Sequence, residues 1–208
     1  KYCYLRKAFE NSRINNLSLS TRKKIHPLLI LFIKLRNRLC GYHLNVIGDD
    51  RERTERPIIY AVTHIGKADI ELVSEAIKAH YYLLCGDFEN LYGTIDGFFL
   101  GLNGVLYFDE KNKEERRDVK ERMKRVLRDG GNVLYFPEGT WNLTPNLPLN
   151  KCYYGIIEVA KEADAIIIPI GIEQYGNEFI AKVGKNFDVG RYTPFGKQDR
   201  REIQKIAI

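Results

Sequence analysis

Apolar and polar positions follow two periods along this chain, and each change of period marks an element. Seven short stretches, at 44–47, 58–62, 81–84, 105–108, 132–136, 165–172 and 179–183, are rich in Val, Ile, Leu and aromatic residues. Their length and composition predict strands. Between them the apolar residues fall at helical spacing. In 70–78, Ile70, Leu72, Val73 and Ile77 share one side. In 113–128, Val119, Met123 and Val126 do so within a charged run that Gly130 and Gly131 end. The segment 154–162 reads as another helix. Within 87–102, Phe98, Phe99, Leu100 and Leu102 suggest a short apolar helix stopped by Gly101 and Gly104. Gly176 and Asn177 offer a hairpin turn between the last two strands. Alternating strands and helices predict a single α/β domain, a mixed, mostly parallel sheet covered by helices.

The segment before this alternation is different. Residues 1–42 form a basic N-terminal helical segment, and 43–208 the α/β domain. No acidic residue occurs between Glu10 and Asp49, whereas Arg13, Arg22, Lys23, Lys24, Lys34, Arg36 and Arg38 all fall there. An apolar run from Pro27 to Ile33 lies among these cations. Spanning a bilayer takes about 20 apolar residues, so this run is too short to cross. A helix over 21–39 suits the membrane interface, with acyl chains meeting its apolar side and anionic headgroups its cations. The other reading is a helix packed on the domain with a solvated basic rim. The interfacial reading is favoured because the run is apolar around the helix. An amphipathic pattern begins at 200–208 and is cut off, which reads as a truncated C-terminus.

Length and charge narrow the function. A chain of 208 residues suits one domain. The net charge of +6 favours an anionic partner, either a phospholipid surface, a phosphorylated substrate or a nucleic acid. Nucleic acid is the poorest of these, since no recognition motif is present and aromatics do not interleave with the cations. Cys3, Cys40, Cys85 and Cys152 are scattered without a C-x-x-C pair, so neither a zinc site nor a disulfide framework is suggested and reduced thiols in a cytosolic setting are expected.

The candidate chemistry lies at Thr63-His64-Ile65-Gly66-Lys67-Ala68-Asp69, between the second strand and the following helix. Ligands of open α/β sheets bind in the crevice beyond the carboxyl ends of the strands. Residues five apart on one helix diverge by about 140°. Asp69 therefore reaches His64 only if the chain bends, and Gly66 permits that. A carboxylate on one imidazole nitrogen fixes the tautomer and leaves the other nitrogen free to take a proton. Without such a bend, Asp69 is simply a cap at a helix start.

Three further stretches follow in order: Gly104-Val105-Leu106-Tyr107-Phe108-Asp109, Phe136-Pro137-Glu138-Gly139-Thr140 and Ile168-Pro169-Ile170. Together with His64-x4-Asp69, they resemble the four motif blocks of the glycerolipid acyltransferase family, typified by the 1-acylglycerol-3-phosphate acyltransferases. The resemblance covers roughly residues 57–184. It implies transfer of an acyl chain from a CoA or acyl-carrier-protein thioester to a lysoglycerolipid hydroxyl, with no cofactor and no metal. It also implies a protein peripheral on the inner, cytoplasmic face of a membrane. Carried over by position, His64 resembles the general base and Asp69 its orienting carboxylate. Glu138, Gly139 and Thr140 resemble the acceptor-side motif, and Pro169 the block near the acyl site. Gly104, Lys67 and Trp141 join Glu138, Gly139 and Thr140 as expected substrate-binding residues. Backbone N–H groups beside His64 or Gly139 are expected to stabilise the oxyanion.

The pattern departs from the family at two positions. Glu110 and Trp141 stand where many members carry arginines associated with the acceptor's phosphate. Lys67, Lys111, Lys113 or Lys151 would have to replace that charge. Otherwise the acceptor has a larger headgroup or no phosphate, with Trp141 stacking on it or lining the acyl channel. An inactive membrane-binding relative is the remaining alternative.

Overall fold

A computed structural model describes residues 12–66, 68–86, 91, 93–144, 147 and 149–191. Its elements in chain order are helix α1 (Leu19–Leu39), strands β1 (His43–Asp49) and β2 (Ile58–Val62), helix α2 (Asp69–Ile77), strand β3 (Tyr82–Cys85), helix α3 (Ile95–Asn103), strand β4 (Val105–Tyr107), helix α4 (Lys113–Arg128), strand β5 (Val133–Tyr135), helix α5 (Gly155–Glu162), strands β6 (Ile166–Tyr175) and β7 (Glu178–Val183), and a 3-10 turn at Val189–Arg191. The pattern at 200–208 lies outside the described residues, as does Lys67.

The strands form one sheet in the order β1-β7-β6-β2-β5-β3-β4. Strands β2 to β6 run parallel, β7 turns back antiparallel on β6, and β1 lies parallel to β7 at the edge. The fold is therefore a single α/β domain with a mixed, mostly parallel sheet. Alternation along β3 splits the core. Tyr81 and Leu83 face α2 on one side, and Leu84 faces α4 and α5 on the other. Pro169 fits inside β6 without breaking its pairing to β2. Its carbonyl accepts from Gly184 N–H just past the end of β7, so the missing proline N–H falls where that pairing stops.

Helix α1 packs on α2 and α3 with an inverted arrangement of polarity. Arg22, His26 and Asn37 are buried, while Leu28, Leu31, Leu35 and Leu39 are exposed on one stripe. Arg22 donates from Nε to Leu17 O, from Nη1 to Gly101 O and Leu102 O, and from Nη2 to Ile14 O and Asn15 O, at 2.6–3.1 Å. All five of its N–H groups are thus engaged by carbonyls, and the guanidinium also lies 5.4 Å from the Tyr82 ring centroid. The expected apolar run is present but is not uniform around the helix: Leu29 turns inward, and Ile30 and Ile33 line a cavity. Among the described residues no helix is long and apolar enough to cross a membrane.

Candidate active site

The carboxyl ends of β2, β5, β3 and β4 share one edge of the sheet, and the segments leaving them meet there. His64 is two residues past β2. The chain then bends back so that Asp69, the first residue of α2, faces it. His64 Nδ1 donates to Asp69 Oδ2 at 2.8 Å. The same oxygen accepts from Ile65 N–H at 2.6 Å and Gly66 N–H at 3.0 Å. Asp69 is buried, and its second oxygen, Oδ1, has no hydrogen-bond partner among the described residues. The carboxylate thus fixes both the loop and the ring. With Nδ1 committed as donor, Nε2 is the basic nitrogen. It has no partner among the described residues, and the imidazole lines the cleft.

The ring is also held by its neighbours. Phe136, from the end of β5, stacks on it at 4.1 Å between centroids. Trp141 approaches edge-on at 6.1 Å.

Glu138 is almost fully buried, and its carboxylate joins two loops. Oε1 accepts from His64 N–H at 2.9 Å, and Oε2 from Asn150 N–H at 2.8 Å. Its place in the acceptor-side motif led to an expected contact with substrate, but both of its oxygens are spent on backbone. Gly139 beside it has φ +67, and a Cβ there would lie 2.8 Å from the Tyr153 ring, so the turn requires glycine. Thr140 and Trp141 line the cleft.

Four of the amides in the turns beside His64 and Gly139 are already committed. His64 N–H serves Glu138, those of Ile65 and Gly66 serve Asp69, and Gly139 N–H serves Phe136 O. The amides of Thr140 and Trp141 have no partner among the described residues. No sequence motif separates these amides from their neighbours, because the difference depends on which carbonyls the fold brings near.

Gly104 lies elsewhere. It precedes β4, at the opposite edge of the sheet from His64, with φ +117. A Cβ there would lie 2.6 Å from the Tyr82 ring. Its role is close packing rather than substrate contact. Lys111 and Lys113 line the cleft together with Glu110, whereas Lys151 is exposed outside its lining.

The cleft is continuous, about 2080 Å³ in volume. That exceeds the roughly 300–1,000 Å³ of a single small-molecule site and leaves room for two substrates. On the α1 side it is walled by Leu29, Ile33, Ile70, Leu83, Phe99 and Leu100. Towards α4 and α5 the lining carries charge of both signs, with Lys113, Arg116, Arg117 and Lys120 beside Glu114, Glu121, Glu158 and Glu162. At the mouth Arg36 bridges Glu71 at 2.9 Å and Asp96 at 3.6 Å. Burial pushes the Glu71 carboxyl above its ordinary range, and Arg36 pulls the other way.

A base facing one large cleft whose lining has both apolar and charged stretches suits transfer between two bound substrates. Comparison with known proteins agrees. The chain is similar to an uncharacterized acyltransferase of Schizosaccharomyces pombe, with 24% identity over 149 residues, covering 70% of this chain and 52% of that protein. It is similar to a 1-acyl-sn-glycerol-3-phosphate acyltransferase of Chlamydomonas reinhardtii, with 21% identity over 168 residues, 80% of this chain and 45% of that one. The chain thus spans about half the length of these curated relatives. The crystal structure of the 1-acyl-sn-glycerophosphate (LPA) acyltransferase PlsC from Thermotoga maritima shares the fold, with a TM-score of 0.67 at 16% identity, covering 99% of this chain and 85% of that one. The family model named Acyltransferase matches residues 43–173, more than half the chain, and this protein belongs to that acyltransferase family.

Proposed function

We propose that this chain transfers a fatty acyl group from an acyl-CoA or acyl-carrier-protein thioester to the hydroxyl of a lysoglycerolipid, in phospholipid biosynthesis, at the cytoplasmic face of a membrane. The observation that carries this reading is the His64–Asp69 contact at 2.8 Å, with Nε2 open to the cleft. His64 Nε2 accepts the hydroxyl proton as the oxygen attacks the thioester carbonyl. The amides of Thr140 and Trp141 are the donors available for the oxyanion. As the intermediate collapses, the C–S bond breaks and the imidazolium returns its proton to the departing sulfur. The products are an ester and a thiol. Base catalysis of this kind contributes about 10²–10⁴ in rate, and an oxyanion donor about 3 kcal/mol.

The exposed stripe of Leu28, Leu31, Leu35 and Leu39, with Ile95 and Phe98 of α3, supports a membrane surface as partner. The two helices are joined by stacking of Phe32 on Phe99 at 4.3 Å. Arg22 and His26 anchor α1 from its inner side, so the apolar stripe is free to meet acyl chains.

A second reading concerns the acceptor. Glu110 and Trp141 line the cleft, which favours a lysolipid with a larger or cationic headgroup over one with a bare phosphate. Purified protein, acyl-CoA or acyl-carrier protein and a panel of lysolipids, followed by mass spectrometry, tests both readings. We expect acyl transfer that His64→Ala abolishes. Transfer at an undiminished rate by that variant would remove His64 from the chemistry.

A further inference from the structure

We infer that the loop after β5, carrying Trp141, Leu143, Leu147 and Tyr153, is a second lipid-surface contact placed directly beside His64. This rests on the reading of the chain as an acyltransferase at a membrane. The four side chains are 40%, 76%, 55% and 65% exposed. A folded monomer rarely gathers that much large apolar surface on one short segment without a partner for it.

The loop is shaped to present them. Asn142 N–H donates to His64 O at 2.6 Å, which ties the loop to the catalytic segment. The Asn142 side chain then takes up local polar groups. Its Oδ1 accepts from Thr144 N–H at 3.1 Å and from Thr144 Oγ1, and its Nδ2 donates to Leu147 O at 2.8 Å. The backbone is turned back on itself and Leu143 is left outside.

Charge selects the occupant. From residue 139 to 157 there is no acidic residue, and Lys151 is the lone charge. Lys113, Arg116 and Arg117 line the same cleft, with Glu110, Glu114 and Glu158 among them, so the charge bias is that of the loop itself. Apolar tips on a segment whose single charge is a lysine suit an anionic bilayer surface.

The position agrees. Leu35 and Leu39 lie at the C-terminal end of α1, and Ile95 and Phe98 at the start of α3. Arg36 joins α1 to Glu71 and Asp96 at that end, and α2 begins there at the carboxylate that holds His64. The α1–α3 patch and the loop therefore border one cleft mouth. With lipid on both sides of the mouth, the base sits at the bilayer surface and a lysolipid enters without crossing water.

Trp141 is the single tryptophan of the chain, so its fluorescence reports on this loop directly. The experiment uses the full chain with phosphatidylglycerol–phosphatidylcholine vesicles, free of lysolipid, with and without brominated acyl chains. Co-sedimentation is measured alongside. We expect a blue shift of Trp141 and quenching by the bromines. Leu143→Trp in a Trp141→Phe background, which moves the probe away from the cleft, should be quenched likewise. Leu143→Asp should weaken vesicle partitioning by about tenfold, the loss of one inserted leucine. Sedimentation with neither probe quenched overturns the loop contact and leaves the α1–α3 surface standing. No sedimentation at all overturns both. A lipid-free dimer that Leu143→Asp dissociates assigns the loop to a second copy and also overturns it. Quenching without acyl transfer to any acceptor sustains the loop contact and sinks the enzymatic reading.

Discussion

Asp69 Oδ2 gathers the His64 ring nitrogen and two backbone N–H groups onto one atom, while its Oδ1 stays buried with no partner among the described residues. This asymmetry makes Asp69→Asn an informative change. The asparagine oxygen can occupy the Oδ2 position and keep all three hydrogen bonds, with the amide nitrogen at the unpartnered place. What is lost is the negative charge that stabilises the imidazolium formed when the hydroxyl proton is taken. We expect kcat to fall by about 10²–10⁴ with little change in unfolding midpoint. A midpoint that drops as far as that of Asp69→Ala would show that the charge serves the fold.

Glu138→Gln tests the tie between the β2 and β5 loops. Both carboxylate oxygens accept from backbone, so a glutamine must set its amide donor against either His64 N–H or Asn150 N–H. One buried bond is lost and two donors face each other, at about 1–3 kcal/mol of stability. As a positioning residue, Glu138 should act on kcat, with KM for the lysolipid nearly unchanged. A selective rise in that KM would return Glu138 to direct acceptor contact.

The alternation of strands and helices was legible because each element buries one face and its apolar period says which. The His64–Asp69 contact was legible for a local reason: five residues, a glycine and a helix start leave few ways to fold. The engagement of Glu138 was not, since its partners His64 and Asn150 are 74 and 12 residues away and only the packing of two loops joins them. Gly104 could not be separated from a site glycine by its motif, because the ring that excludes a side chain there belongs to Tyr82. Nor does a cation-rich helix announce that Arg22 turns inward. The carbonyls of Gly101 and Leu102 that receive it come from α3.

Arg22 makes a further prediction. Its planar fork fills five carbonyl acceptors, two of them at the end of α3. An ammonium has three donors and lacks the fork, so Arg22→Lys cannot satisfy the set. Arg22→Met, which leaves all five carbonyls without this donor, should cost about 3 kcal/mol or more in urea unfolding. Arg22→Lys should fall between it and the parent. In both variants limited proteolysis should cut first within α1. An unchanged cleavage pattern would mean that the apolar contacts of α1 hold it without this anchor.

Beneath the same helix, His26 and His80 form a buried pair that makes stability depend on acid. His26 Nδ1 donates to Asn103 Oδ1 at 2.9 Å and His80 Nε2 to Asn103 O at 2.7 Å, while the remaining nitrogen of each ring has no partner among the described residues. Burial holds the His80 imidazole down to about 4, with His26, Arg22 and Lys23 acting in the same direction. Burial lowers His26 as well, opposed by its bond to Asn103. In the unfolded chain both titrate near about 6.5. Below that pH the unfolded state takes up protons that the folded state refuses. The His80 contribution is thus complete above about pH 6.5 and is lost as pH falls towards about 4, by up to about 1.4 kcal/mol per pH unit, and His26 acts in the same direction. Urea unfolding at pH 7.5 and pH 5 should show the parent weakened at the lower pH. His80→Gln, whose amide can still donate to Asn103 O, should lose part of that difference. An identical pH dependence in the His26→Gln, His80→Gln double variant would assign the acid sensitivity to the carboxylates instead.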